Sequence, residues 1–290
     1  MSTSSGPRRE HPSTYFVQDR SNLEELTRLQ IQDQQVTAGM GGVLPEQPDP
    51  AIFQRVLDVG CGTGGWLIEA AKTYPNMSLL VGVDISSKMV EYAQAQADAQ
   101  RVSDRVHFRA MDALRMLEFP IDFFDMVNQR LGGGYLRTWD WPKLLQEYQR
   151  VTQPGGVIRI TESDSSESSG PAITRFYQMI NQAFYQAGHI FSHGKNGPGA
   201  ELARLLSQYG LQNVQTRAHT LEYRAETHEG QLYYENTQHV FRTIQPFLRK
   251  WTRVPDDYET LYQQVLSEMQ QSDCVATWRL FTAWGIKPLQ

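Results

Sequence analysis

At 290 residues, 40% of them apolar and 20% charged, the chain is long enough to bury a full α/β core and still carry a cap. No apolar run approaches the 18 or so residues of a membrane span, and Met1–Glu10 lacks an apolar signal core, which points to the cytoplasm. A formal net charge of −5 argues against the basic face that nucleic acid requires, so a small neutral or apolar partner is expected.

Residues 1–12 read as a disordered tail and 13–50 as a helical lid and linker. Tyr15-Phe16 is an aromatic pair in a polar stretch, and Asn22 is placed to cap a helix reaching about Val36, with Leu23, Leu26 and Leu29 on one face. Gly39–Gly42 and Pro45–Pro50 make a breaker-rich connection. From residue 51 to 290 the pattern predicts one domain, with cap helices at about 165–210 and 228–272.

Strand and helix alternate from Arg55 onward, the mark of a doubly wound parallel sheet. Strands are predicted at Arg55–Val59, Leu79–Asp84, Val106–Ala110, Phe123–Asn128 and Val157–Glu162. Helices are predicted at Gly65–Tyr74, Ser86–Ala99 and Trp141–Val151, the last with Asp140 as its cap and Pro142 in its first turn. Ser163–Gly170 holds five serines in eight residues and reads as a mobile connection. Helices follow at Pro171–Ala187, Glu201–Tyr209, Gln231–Lys250 and Tyr258–Gln271, with a sixth strand in Leu211–Tyr223 and a last one at Val275–Trp284. Cys61 and Cys274 form neither a disulfide framework nor a metal-ligand spacing, so no metal is expected.

The chemistry concentrates in Val56-Leu57-Asp58-Val59-Gly60-Cys61-Gly62-Thr63-Gly64-Gly65. Its glycines permit a sharp turn and close approach of a ligand to the backbone, and the helix behind them presents unpaired N–H groups to an anion. Taken literally, Gly60-x-Gly62-x-x-Gly65 also matches a dinucleotide fingerprint. Asp58 decides between them, because a carboxylate there would repel a pyrophosphate yet help receive an ammonium group. Asp84, ending the second strand, is placed to accept from both ribose hydroxyls, and Asp112, after the third, to accept from an adenine amino group. Amine, ribose and adenine acceptors on three successive strand ends suit S-adenosylmethionine.

Val56–Gly65, Gly82-Val83-Asp84-Ile85, Met111-Asp112-Ala113 and Gln153-Pro154-Gly155-Gly156 resemble the successive motifs of class I SAM-dependent methyltransferases over about Arg55–Glu162. The resemblance implies a Rossmann-like seven-stranded sheet of order 3-2-1-4-5-7-6 with the last strand antiparallel. It implies that Gly60, Gly62 and Gly64 line the methionine end and that Asp84 binds the ribose. It further implies that Ile85 flanks the adenine, that Asp112 and the Ala113 amide read its edge, and that Asn128 faces the methionine and the acceptor.

For the acceptor side, Glu162 at a strand end and His189 and His193 in the loop after the inserted helix are the candidate catalytic residues. His107, at the start of the third strand, reads as structural, and His219, His228 and His239 lie in the C-terminal third without a metal spacing. Tyr15 is a candidate to close over the donor. Gly132-Gly133-Gly134 lies where donor and acceptor would meet. The expected activity is in-line methyl transfer to a small, moderately apolar molecule. The alternatives are a SAM-binding sensor or partner subunit without transferase activity, a nicotinamide-dependent oxidoreductase, and an RNA methyltransferase. Oligomeric state is not legible.

Overall fold

Strand β1 (Arg55–Val59) is almost wholly buried, which a strand achieves only when flanked by strands and covered on both faces. In the computed structural model it is an interior strand, third from one edge of a seven-stranded sheet. The structure describes residues 15–17, 23–192 and 197–289, without the side chain of Leu23. The tail 1–12, Asn22 and His193 lie outside the described residues.

Beside β1 stand β2 (Leu79–Asp84), β3 (Val106–Ala110) and β4 (Phe124–Arg130), followed by β5 (Thr152–Ser168), β6 (Gln212–Arg224) and β7 (Val275–Ile286). Their spatial order is β3-β2-β1-β4-β5-β7-β6. The first five run parallel, whereas β7 is antiparallel to both β5 and β6. Strand order reverses between β1 and β4, so the carboxyl ends of β1, β2 and β4 open onto the crevice where ligands of such sheets bind.

Helices α2 (Gly65–Thr73) and α3 (Ser87–Ala99) cover one face through Trp66, Leu67, Met89 and Ala93. On the other face α4 (Trp141–Val151) packs Trp141, Leu144, Leu145 and Tyr148 against β4 and β5, joined by α6 (Leu202–Gln208). A third apolar cluster lies above the sheet. It gathers α5 (Pro171–Gln186), α7 (His228–Trp251) and α8 (Tyr258–Glu268) against β6 and β7, with Phe176 and Phe241 stacked at 3.7 Å between ring centroids. Helix α1 (Leu23–Gly39) packs chiefly on α7.

Three local expectations are corrected. The serine-rich stretch is no loose connection, because β5 continues through Ser168 and pairs with β7 as far as Ser168↔Ala276. The backbone there is held by cross-strand hydrogen bonds, and the Trp278 indole N–H donates to Ser163 Oγ at 2.9 Å. Composition alone suggested a loop, but pairing supplies what the small side chains do not. In α1 the buried residues are Glu25, Arg28, Ile31, Gln35 and Val36, while Leu26 and Leu29 are half-buried. A buried ion pair therefore replaces the expected leucine stripe. Asp140 precedes α4 but makes no side-chain cap, its carboxylate accepting instead from the Arg137 amide at 2.8 Å.

Candidate functional site

Two neighbouring cavities open at the carboxyl ends of the strands. The first is walled by the β1–α2 turn and by the ends of β2, β3 and β4, and α1 closes over it. Asp58, Gly60, Cys61, Gly62 and Thr63 line one side, Asp84 and Ile85 the next, and Met111 to Leu114 the third. Eight of the residues singled out in the sequence thus share one cavity: Asp58, Gly60, Gly62, Asp84, Ile85, Asp112, Ala113 and Tyr15.

The turn explains its own composition. Gly60, Gly62 and Gly64 all have positive φ, at 71°, 53° and 77°, a region costly for residues with a Cβ. Around Gly62 there is open space, so its backbone faces the cavity, whereas a Cβ on Gly60 would strike the Tyr135 phenol. Gly64 corrects the expectation, since it does not line the cavity. A Cβ there would collide with Phe108 and Ala93, so this glycine lets α2 and α3 pack tightly behind the turn.

Asp84 accepts from the Gly62 amide at 3.1 Å and from the Ser86 amide at 2.9 Å. It therefore clamps the glycine turn to the start of α3 while its carboxylate remains at the cavity wall. Asp112 closes its own turn through the Leu114 amide at 2.9 Å, with Arg115 3.5 Å away.

Asp58 is nearly buried, and burial pushes its carboxyl up to about 7, against the pull of the Arg130 charge and the Asn128 hydrogen bond. Asn128 itself is fully buried and stands behind Asp58, so its expected place at the cavity wall is corrected. The register pairs Asp58 with Asn128 across β1 and β4, which sets the Asn128 amide 2.7 Å from Asp58 Oδ1. Behind it the Arg159 guanidinium donates to Asn128 Oδ1 at 2.7 Å and to Glu46 at 2.6 Å. The side chains of Arg159 and Glu46 are 0% and 1% exposed. Burial pushes the Glu46 carboxyl upward, but the Arg159 charge and the hydrogen bonds to the carboxylate together outweigh it and hold the group below its ordinary value. A polar chain thus fixes Asp58 from below, leaving its remaining lone pairs to the cavity.

Helix α1 supplies the lid of the cavity with polar groups that periodicity did not reveal. Arg28 donates to both oxygens of Glu25, at 2.7 and 2.8 Å, and to the Tyr15 phenol at 2.8 Å. Tyr15 in turn donates to Glu25 at 2.6 Å. Burial pushes that phenol far above its ordinary value, so it stays protonated. Asp33, also at the wall, pairs with Arg130. The i, i+3 spacing of Glu25 and Arg28 was the available signal, but in sequence it looks like an ordinary solvated pair.

The second cavity lies between α1, α5, α7 and the end of β5, and shares Phe16, Arg28, Gln32 and Leu131 with the first. Its wall is mostly apolar and aromatic, including Ile173, Phe176, Ile180, Phe184 and Trp278. Glu162 and His189 both line it. Glu162 is 1% exposed and accepts from the Gly132 amide at 2.7 Å, the Gly133 amide at 2.9 Å and Gln129 at 2.9 Å. It latches the short Gly132–Gly134 helical turn, and burial still pushes its carboxyl up to about 7 against those donors. His189, also 1% exposed, places Nδ1 2.9 Å from the Gly133 carbonyl. Burial pulls the imidazole down to about 4, outweighing the Gly133 and Leu136 carbonyls. Among the described residues no group of histidine, cysteine, aspartate or glutamate is arranged to hold a metal, and no helix is long and apolar enough to cross a membrane.

Residues 56–156 match the family described as a methyltransferase domain. A demethylmenaquinone methyltransferase of Bacillus licheniformis is 30% identical over 170 residues, 55% of this chain and 71% of that protein. Two solved structures share the fold at lower identity. A phosphoethanolamine N-methyltransferase of Haemonchus contortus, with S-adenosylmethionine, is 18% identical, with a TM-score of 0.56 over 94% of this chain and 59% of that one. A geranyl diphosphate C-methyltransferase of Streptomyces coelicolor, with Mg²⁺, geranyl diphosphate and S-adenosylhomocysteine, is 15% identical, with a TM-score of 0.53 over 95% and 90%. With its strand order, its glycine turn and these relatives, the chain belongs to the class I SAM-dependent methyltransferases.

Proposed function

We propose that the chain transfers a methyl group from S-adenosylmethionine, held in the first cavity, to a small, moderately apolar molecule held in the second. The observation that carries this reading is the wall common to both cavities, formed by Phe16, Arg28, Gln32 and Leu131. Donor and acceptor seated on either side of it would meet where methyl transfer needs them. The demethylmenaquinone methyltransferase relatives support an apolar acceptor.

The first cavity fits the donor residue by residue. Asp58 presents a buried carboxylate with its own partners behind it, a site for an ammonium group. Gly60 and Gly62 keep the turn open for the rest of the methionine moiety. Asp84 has oxygens at the cavity for the ribose hydroxyls, Ile85 offers an apolar flank for the adenine, and Asp112 with the Ala113 amide borders its edge. Tyr15, pinned by Glu25 and Arg28, closes the lid. When bound, the donor supplies an activated methyl on a sulfonium, so the chain's task is alignment. Aligned reactants of this kind gain about 7–11 kcal/mol from positioning alone. The domain reading that accompanies this role makes residues 13–50 the lid and 51–290 the catalytic domain.

Calorimetry with S-adenosylhomocysteine and with NAD tests the donor assignment. Binding of the former alone is expected, and binding of NAD alone overturns it. Incubation with methyl-labelled donor and fractionated cell extract then tests transfer, a labelled apolar product being the expected result. Label appearing only in charged products counts against the apolar acceptor.

A further inference from the structure

The second cavity holds two buried hydrogen-bond acceptors that the protein itself leaves unfilled. His189 Nε2 makes no hydrogen bond, even to the Leu136 carbonyl that also acts on the ring, although the residue is 1% exposed and flanked by Phe184 and Phe247. Its other nitrogen faces the Gly133 carbonyl. A carbonyl only accepts, so Nδ1 carries the proton and Nε2 is left as a bare lone pair. Asn236, 7% exposed, is the second. Its amide nitrogen donates toward Gln35 Oε1, whose own nitrogen is spent on the Glu229 carbonyl, so the unpartnered atom is the Asn236 carbonyl oxygen. Both residues line the same cavity.

Unfilled acceptors in an apolar wall are costly unless the ligand brings donors to them. The lining also excludes other chemistries. Among the described residues Arg28 is the cation at this wall, and it is committed to both oxygens of Glu25 and to Tyr15, so the described wall offers a phosphorylated acceptor no open positive charge. Glu162, the carboxylate among the described residues of this wall, already accepts from three donors, so the described wall offers an ammonium group no open carboxylate.

Resting on the assignment of this cavity to the methyl acceptor, we infer that the acceptor is a neutral, apolar molecule bearing a hydroxyl group, whose O–H is received by His189 Nε2. As the new C–O bond forms, the C–S bond of the donor breaks and its electron pair stays on sulfur. The hydroxyl proton passes to Nε2, leaving an imidazolium that hydrogen-bonds the Gly133 carbonyl and later releases its proton to water. An oxygen acquiring a methyl cation is strongly acidic, so a weakly basic imidazole suffices. A weakly basic one also remains unprotonated, and hence an acceptor, at neutral pH. Glu162 is the positioning residue, because it holds the Gly133 turn that fixes the imidazole tautomer.

The test uses the full chain with S-adenosylhomocysteine present, titrated by calorimetry with three matched probes: 1-naphthol, 1-methoxynaphthalene and 1-naphthyl phosphate. Naphthol is expected to bind roughly ten- to a hundredfold tighter than its ether, the range for a buried acceptor left unmatched, with the phosphate weaker still. In His189→Phe that preference is expected to collapse to within about twofold while S-adenosylhomocysteine affinity stays unchanged, which also reports that the variant is folded. Rescue of the preference in His189→Gln, whose side chain again offers an acceptor, supports the role over a packing effect. Equal binding of naphthol and ether, tighter binding of the phosphate, or no binding of any probe while S-adenosylhomocysteine binds each overturn the inference. Absence of S-adenosylhomocysteine binding instead overturns the methyltransferase reading on which it rests.

Discussion

Replacing Asp84 by alanine removes a carboxylate that serves the fold and the proposed donor site together. In the free protein it accepts from Gly62 and Ser86 amides at 3.1 and 2.9 Å. Hydrogen bonds to a charged acceptor contribute about 1.5–3 kcal/mol each when buried. Asp84 is half-buried, and water can reach the amides once the side chain is gone, so a loss of roughly 2–3 kcal/mol in folding stability is expected for the pair. For a chain of this size that corresponds to a melting temperature lower by very roughly 4–10 °C. Donor binding loses a further ribose interaction of about 1.5–3 kcal/mol, or some ten- to 150-fold in affinity for S-adenosylhomocysteine. Calorimetry gives the affinity and a thermal melt gives the stability. A lowered melting temperature with unchanged affinity would show that Asp84 only closes the turn, and the ribose assignment would then be wrong. No change in either would refute the clamp as well.

Asp58 makes the same site sensitive to pH. Its folded value is raised from an ordinary 3.8 to about 7, so between those values the folded chain holds a proton the unfolded chain has released. Its contribution to stability is therefore greatest below about pH 4 and is lost as pH rises toward 7. Binding of an ammonium has the opposite sense, because it needs the carboxylate. S-adenosylhomocysteine affinity is expected to fall by up to about tenfold per pH unit below 7, and an Asp58→Asn variant should lose that slope in calorimetry across this range. Glu46→Ala strands a fully buried Arg159, and urea denaturation should show a loss of about 3–5 kcal/mol; a loss below about 1 kcal/mol would mean water or another acidic group reaches the guanidinium. Glu162→Ala orphans the Gly132 and Gly133 amides, at about 1–3 kcal/mol each. Labelled-methyl turnover should drop more than S-adenosylhomocysteine affinity, and an equal drop in both would place Glu162 in the donor site instead.

The alternation of strand and helix from Arg55 to Val151 and the glycine turn were legible in the residues themselves. Local rules act there: an apolar run buried on both faces, glycines at positive φ, a serine capping α3 through the Met89 amide. Asp58, Asp84 and Asp112 could be singled out because strand ends are readable, and parallel strands deliver their ends to one crevice. Where the chain's own neighbours decide, sequence was silent or misleading. Ser163–Ser168 became strand because β7 pairs with it. Glu25 and Arg28 became a buried pair because the fold sets Tyr15 and Phe16 against them, and Asn128 turned from wall to support because β4 sets it beside Asp58.

The family and the residues proposed for the donor site were thus legible in sequence alone, through short-range chemistry repeated at three strand ends. The second cavity was decided by the tertiary structure. Its wall is assembled from residues as distant as Phe16, Glu162, His189 and Asn236, and whether a buried nitrogen is partnered or bare depends on which carbonyl the fold brings to its other side. For His189 that carbonyl belongs to Gly133, 56 positions away, and no local pattern encodes the contact.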